Sequence, residues 1–170
     1  MELTLVKYDD PVLKKPTERF DFDRPQFDIK DFSLSLIEVM RKNGGVGLAA
    51  PQVGYPFSIF AFQYVTDMIA INPKIVEEGE ETIDFEEGCL SFPGLFIRIK
   101  RPRLIRVRYS SPNGETATHS YANKTARIFQ HEFDHLQGII YQSRANYLHK
   151  EQAANRWKKI LRQQKQKVSA

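Results

Sequence analysis

Gln130-His131-Glu132-Phe133-Asp134-His135 is the stretch on which the reading of the whole chain turns. Wound as a helix, it puts His131 and His135 one turn apart on the same side, so both imidazoles can bind one metal ion. Glu132 then sits about 100° round, within reach of a water at an open coordination position. On a helical wheel, Ala126 to Gly138 divides into three sectors. The first holds Ile128, His131, Glu132 and His135, the second Ala126, Phe129, Phe133 and Leu136, and the third Arg127, Gln130, Asp134 and Gln137. Only the third is expected to face water. Such a helix is mostly buried, and a buried Glu132 beside two histidines needs a cation for compensation. Thr125 or Asn123 can cap its start and Gly138 its end. Taken alone, the same pattern also fits a helix whose histidines simply pack in a core.

Two histidines do not complete a catalytic metal site, which usually has three protein ligands and one open position. Cys89, in Glu86-Glu87-Gly88-Cys89-Leu90-Ser91-Phe92-Pro93-Gly94, is the candidate third ligand. Acidic residues just ahead of a thiol ordinarily raise its pKa and weaken it as a nucleophile, whereas a metal deprotonates it outright. A lone cysteine is otherwise a small buried hydrophobe. Gly88 and Pro93-Gly94 favour close backbone approach over core packing and tilt the balance toward a ligand. Upstream, Gly45-Val46-Gly47-Leu48-Ala49-Ala50-Pro51-Gln52-Val53-Gly54 lacks the Gly-Lys-Ser/Thr ending of a phosphate loop. Its small residues instead let a second backbone come close, and Gln52 can donate through its amide NH₂.

Around these segments the patterning is α+β. Ser33 to Lys42 carries apolar residues at helical spacing and stops at Asn43-Gly44-Gly45. Phe57 to Phe62, Met68 to Ile71, Leu95 to Ile99 and Leu104 to Tyr109 read as short strands, and Glu115 to Tyr121 returns after Pro112-Asn113-Gly114 as a hairpin partner. Helical patterns resume from about Asn123. The expected architecture is antiparallel or mixed β-sheets packed around a central metal-binding α-helix, with an N-terminal and a C-terminal helix.

At 170 residues, with 41% hydrophobic and 27% charged residues, the chain fits one globular domain able to bury roughly 70% of its unfolded surface. The single cysteine excludes an intramolecular disulfide. The start has no leader pattern and no apolar run reaches membrane-spanning length, so a cytoplasmic protein is expected. The net charge of +4 is concentrated at the end of the chain. Arg156, Lys158, Lys159, Arg162, Lys165 and Lys167 face only Glu151 there, which suggests contact between the tail and something anionic and no specific binding of DNA by the body. The expected division is a catalytic domain over residues 1–150 and a basic helical tail over 151–170.

Taken together, Gly45-Val46-Gly47-Leu48-Ala49-Ala50-Pro51-Gln52, Glu87-Gly88-Cys89-Leu90-Ser91 and Gln130-His131-Glu132-Phe133-Asp134-His135-Leu136-Gln137-Gly138 resemble, in order and without a gap, the three signature motifs of the peptide deformylase family. The resemblance extends from Asp9-Asp10-Pro11-Val12-Leu13 to about Tyr141. It implies removal of the formyl group from the N-terminal formyl-methionine of nascent polypeptides, with formate released. It further implies that Cys89, His131 and His135 hold one divalent metal, usually Fe(II) in the cell, with zinc, nickel or cobalt acceptable substitutes. Glu132 is implied as the proton shuttle, and the Gln52 side chain with the Leu90 backbone N–H as oxyanion donors. Substrate backbone is implied to lie along Gly45-Val46-Gly47 and Glu87-Gly88, with Val46, Ile128 and Phe129 walling the methionine pocket. The family's substrate also suggests ribosomal RNA as the tail's partner. Tyr121-Ala122-Asn123-Lys124-Thr125 departs from the family by being more polar than its usual glycine-and-leucine turn, and the link between Phe62 and Ile69 is short.

Three other readings compete. Cys89 could be a nucleophile with His131 or His119 as base, and a chelator would spare such an enzyme. A zinc endopeptidase would rest on the His-Glu-x-x-His spacing alone and leave Cys89 and Gln52 unexplained. A binding module would make the basic tail the function and the body its scaffold.

Overall fold

Asp28 starts the first helix earlier than hydrophobic spacing suggests, because its carboxylate accepts from the backbone N–H groups of Lys30 and Asp31 at 2.8 and 3.0 Å. In the computed structural model, which describes residues 1–168, this helix is α1, Ile29–Lys42. Seven strands follow: β1 (Gly47–Ala49), β2 (Ile59–Gln63), β3 (Asp67–Glu78), β4 (Thr82–Cys89), β5 (Phe92–Pro102), β6 (Leu104–Ser110) and β7 (Thr116–Ala122). Two helices close the chain, α2 (Asn123–Leu136) and α3 (Tyr147–Val168).

All strand pairs are antiparallel. Five strands form one sheet in the order β1-β2-β3-β6-β7, and β4 pairs with β5 as a separate hairpin. β2 is buried on both faces, which is why its sequence is a near-continuous apolar run. Ile59 and Ala61 join Phe32, Leu36 and Met40 in a core under α1. Phe60 and Phe62 face the other way, into a second core with Tyr109, Tyr121 and Phe129 under α2. A third cluster of Phe92, Leu95, Ile97, Ile99, Tyr141 and Ala153 joins the β5 hairpin to α3.

The short link after Phe62 is a tight β2–β3 hairpin, with Gln63 opposite Asp67. β3 runs well beyond Ile71 through an irregular step at Asn72, whose left-handed backbone (φ 52°) is tied down by side-chain hydrogen bonds to Phe20 N and O, both 2.9 Å. The boundary expected at residue 150 falls inside α3. Ala153 is buried in the third cluster, so the helix begins as part of the body. The basic stretch therefore starts on a packed helix, and its residues 169–170 lie outside the described residues.

α2 corrects two expectations. Its third sector is wet only at Gln137: Arg127, Gln130 and Asp134 are all buried, because the β4–β5 hairpin covers that side and brings its own charges. Neither Thr125 nor Asn123 caps its start. The chain enters from Ala122, and Asn123 holds a left-handed backbone (φ 54°) with its side-chain oxygen accepting from Arg103 Nε at 2.9 Å. Gly138 does end the helix, at φ 69°, where a Cβ would stand 2.8 Å from the Lys14 backbone.

Candidate metal centre and active site

Cys89 closes β4 at the tight turn into β5, opposite Phe92, and this turn aims its sulfur at α2. One turn of α2 separates His131 from His135. The ligand atoms of the three residues lie within 4.8 Å of one another, and Cys89 Sγ is 3.3 Å from His135 Nε2. The sequence-expected triad is thus one cluster, drawn from two elements distant in the chain.

Its electrostatics are those of a site built for a cation. Burial pushes the Cys89 thiol up, yet the facing His135 and His131 imidazoles overcome this and hold it well below the ordinary thiol value. Burial disfavours charge on His131, but Cys89 and Glu87 together hold it well above the usual imidazole value. Burial pushes the Glu132 carboxyl up to about 7, against the pull of His131 and His135. Glu132 Oε2 and His135 Nδ1 are buried without a hydrogen-bond partner among the described residues. A depressed thiol and two imidazoles, with an orphaned carboxylate oxygen beside them, fit a divalent cation of borderline softness.

The small residues explain how the parts come close. A Cβ on Gly47 would run into Glu132 Oε1, so β1 can lie against α2 only as glycine there. A Cβ on Gly45 would be 2.6 Å from Leu90 Cδ1, and one on Gly88 2.7 Å from the Phe96 ring. Gln52 is fixed by accepting from Ala49 N–H at 2.8 Å, which turns its NH₂ toward Ser91 Oγ at 3.0 Å and Cys89 Sγ at 3.4 Å. Val46, Gly47, Gly88, Leu90 and Ile128 line a cavity of about 590 Å³ that opens beside the cluster. Phe129 does not reach it. Its ring is fully buried against Phe60 and Phe62, centroids 4.8 and 5.4 Å away, and belongs to the core.

Glu87 has a role the sequence did not suggest. The residue lines the cavity, and its buried carboxylate accepts from His131 Nδ1–H at 2.9 Å, Arg127 at 2.8 Å, and Arg101 at 2.7 and 3.0 Å. Burial raises this carboxyl, yet His131 and Arg101 hold it far below the usual carboxylate range. The bond fixes the His131 ring so that Nε2 faces Cys89, the orientation a metal-ligating imidazole requires. Arg101 continues to Asp134 at 2.7 Å, and Asp134 accepts from Arg144 at 2.6 Å.

Comparison with known proteins agrees with this geometry. The family model described as "Polypeptide deformylase" matches residues 2–151. A peptide deformylase of Thermotoga maritima is 42% identical over 137 residues, covering 78% of this chain and 80% of the relative. The chloroplastic/mitochondrial peptide deformylase 1B of Arabidopsis thaliana is 36% identical over 146 residues, 82% of this chain, which spans about half (52%) of that longer protein. Among solved structures, a plant peptide deformylase 1B superposes with a TM-score of 0.86 at 30% identity, covering 99% of this chain and 94% of the other. The Thermotoga maritima enzyme superposes with a TM-score of 0.77 at 39% identity, covering 86% and 99%.

Proposed function

We infer the chemistry from family and site together: the chain belongs to the polypeptide deformylase family, and it hydrolyses the formyl amide at the N-terminus of nascent formyl-methionyl polypeptides. The observation that carries this reading is the convergence of Cys89, His131 and His135 within 4.8 Å beside the buried carboxylate of Glu132. A divalent cation on those three side chains supplies Lewis-acid polarisation of the formyl oxygen and a lowered pKa for the attacking water. We assign Fe(II) as the ion in the cell. Zinc, nickel and cobalt suit the same donors, and nickel and zinc bind such sites more tightly than iron.

Glu132 takes a proton from the attacking water and returns it to the departing amine, so the products are formate and a free N-terminal methionine. As the formyl carbon becomes tetrahedral, negative charge grows on its oxygen. Gln52, its NH₂ turned toward Cys89, and the Leu90 backbone N–H are the donors we assign to that oxygen. The extended substrate backbone runs between Gly45-Val46-Gly47 and Gly88, and the methionine side chain enters the cavity beside Ile128. Lys124, of the polar turn, shares that lining, one helical turn before Ile128.

Formate release from formyl-Met-Ala-Ser by anaerobically purified, Fe(II)-loaded protein tests the reaction. Release should stop with chelator and fall at least about 100-fold in Glu132→Ala. Activity that survives metal removal would transfer the chemistry to Cys89 as nucleophile.

The partner beyond the peptide is ribosomal RNA, reached through the exposed Lys158, Lys159 and Arg162 of α3. Reversing these three charges should abolish salt-sensitive ribosome binding and leave peptide hydrolysis intact; unchanged binding would exclude this face. The proposed compartment is the cytoplasm. Among the described residues no helix is long and apolar enough to cross a membrane.

A further inference from the structure

The inner face of α3 leads back to the substrate groove. Ala153, Trp157 and Ile160 form its less exposed stripe, at helical spacing, against β5. That stripe lies behind Pro93, Gly94, Leu95 and Phe96, which together form one wall of the cavity. Each of these four residues is held from the rear. Trp157 Nε1–H donates to the Pro93 carbonyl at 3.2 Å and Arg156 to the Phe96 carbonyl at 3.3 Å. Gly94, at φ 79°, lies against Ile160, whose side chain would be 3.6 Å from a Cβ there. Tyr141 O–H donates to the Leu95 carbonyl at 2.7 Å. The Phe96 ring in turn covers Gly88, the residue before Cys89.

We propose that α3 is a positioning element for the peptide substrate: Arg156 and Trp157 fix the Pro93–Phe96 wall, and through the Phe96 ring the Gly88 backbone, at the spacing an extended formyl-peptide requires. The proposal rests on the deformylase reading of the groove. The chemical centre is oriented by other bonds: α2 carries His131 and His135, Arg101 and Arg127 hold Glu87, and the β4–β5 turn sets Cys89, which touches the α3 cluster only through apolar packing that both substitutions below leave in place. Slackening the wall therefore weakens peptide binding and leaves the chemical step alone. It also makes α3 one body with two faces, a basic one outward and a groove brace inward, so that an anionic partner seated on the first is mechanically linked to the second.

Arg156→Ala and Trp157→Phe each remove one donor; Arg156 is exposed and outside the apolar cluster, and Trp157→Phe keeps a ring in it. In the double variant, which loses two hydrogen bonds behind the wall, the KM for formyl-Met-Ala-Ser should rise roughly five- to tenfold, since a net hydrogen bond is worth about 0.5–1.5 kcal/mol and only part of the loss reaches the substrate. Its kcat and its bound metal per chain should stay at the wild-type values. Formyl-methionine without downstream residues should respond less. Trp157 is the only tryptophan in the chain, so its emission reports the wall directly. Formyl-Met-Ala-Ser titrated into Glu132→Gln should shift that emission, with weaker binding when Arg156→Ala is added. An unchanged KM in the double variant, a loss confined to kcat and metal content, or an emission indifferent to saturating peptide would each overturn the proposal. Absence of formate from wild-type protein would strike at the reaction instead, and the fluorescence titration would still show whether a peptide seats against this wall.

Discussion

At the scale of single residues, Glu87 shows how far the sequence could be read and where it stopped. His131, Glu132 and His135 were legible because a helix brings residues three and four apart together, and that rule needs no knowledge of the fold. The carboxylate of Glu87 depends on Arg101 and Arg127, 14 and 40 residues away, and no local pattern announces them. Glu87→Gln keeps the shape and removes the charge, leaving the buried Arg127 guanidinium without its counter-ion and Arg101 with Asp134 alone. The variant should lose roughly 3–5 kcal/mol of stability, the usual cost of breaking a buried pair from one side, in urea unfolding of the metal-free protein. The acid side follows with a definite sign. The folded carboxyl sits below its unfolded value of about 4.5, so the unfolded chain takes up the proton first. The stability Glu87 contributes is therefore complete above that value and drains away as pH falls below it. The Glu87→Gln protein should show a flatter acid limb than wild type; parallel limbs would mean that this carboxylate is not what acid attacks.

Elements were legible where their pattern was their own. β2 and β6 announced themselves by apolar runs and alternation, whereas β4, Thr82–Cys89, did not. Its sequence is rich in carboxylates because Asp84 and Glu86 point outward and the inward Glu87 is neutralised by arginines of other elements. The short β1 was hidden for a related reason: its small residues serve a close approach to α2, so they carry no strand propensity. The polar turn before α2 has a local explanation. Asn123 takes the left-handed backbone that a glycine adopts easily, and Asn is the residue that best replaces glycine there. Asn123→Ala should cost about 1–2 kcal/mol in urea unfolding, through backbone strain and the lost bond from Arg103. Asn123→Gly should cost less. If alanine and glycine prove equally disruptive, the Arg103 contact rather than the backbone would be the reason for asparagine.

Over the whole molecule, three hydrophobic clusters hold the parts and the metal cluster joins two of them. Cys89 packs against the cluster under β5 and α3, while the histidines belong to α2, whose Phe129 and Leu136 anchor the second core. A cation on these ligands is consequently a cross-link between the β4–β5 hairpin and the central helix. Without it, the depressed thiol, His131 and the partnerless Glu132 oxygen face one another in a buried space. Binding that occurs only in the folded state stabilises by mass action, about 4 kcal/mol when the free ion exceeds its Kd a thousandfold. Fe(II), Ni(II) or Zn(II) should therefore raise the Tm of chelator-treated protein by several degrees, and Cys89→Ser should blunt the rise, because an alcohol is a poor substitute for thiolate with these ions. The gain should appear as an upward shift of one cooperative transition, since the hairpin and the helix are linked across the shared site. A Tm indifferent to metal would mean that the hairpin is already locked to α2 by the Glu87–Arg101–Asp134 ion pairs alone, and that the site's ligands are arranged for catalysis at no benefit to the fold.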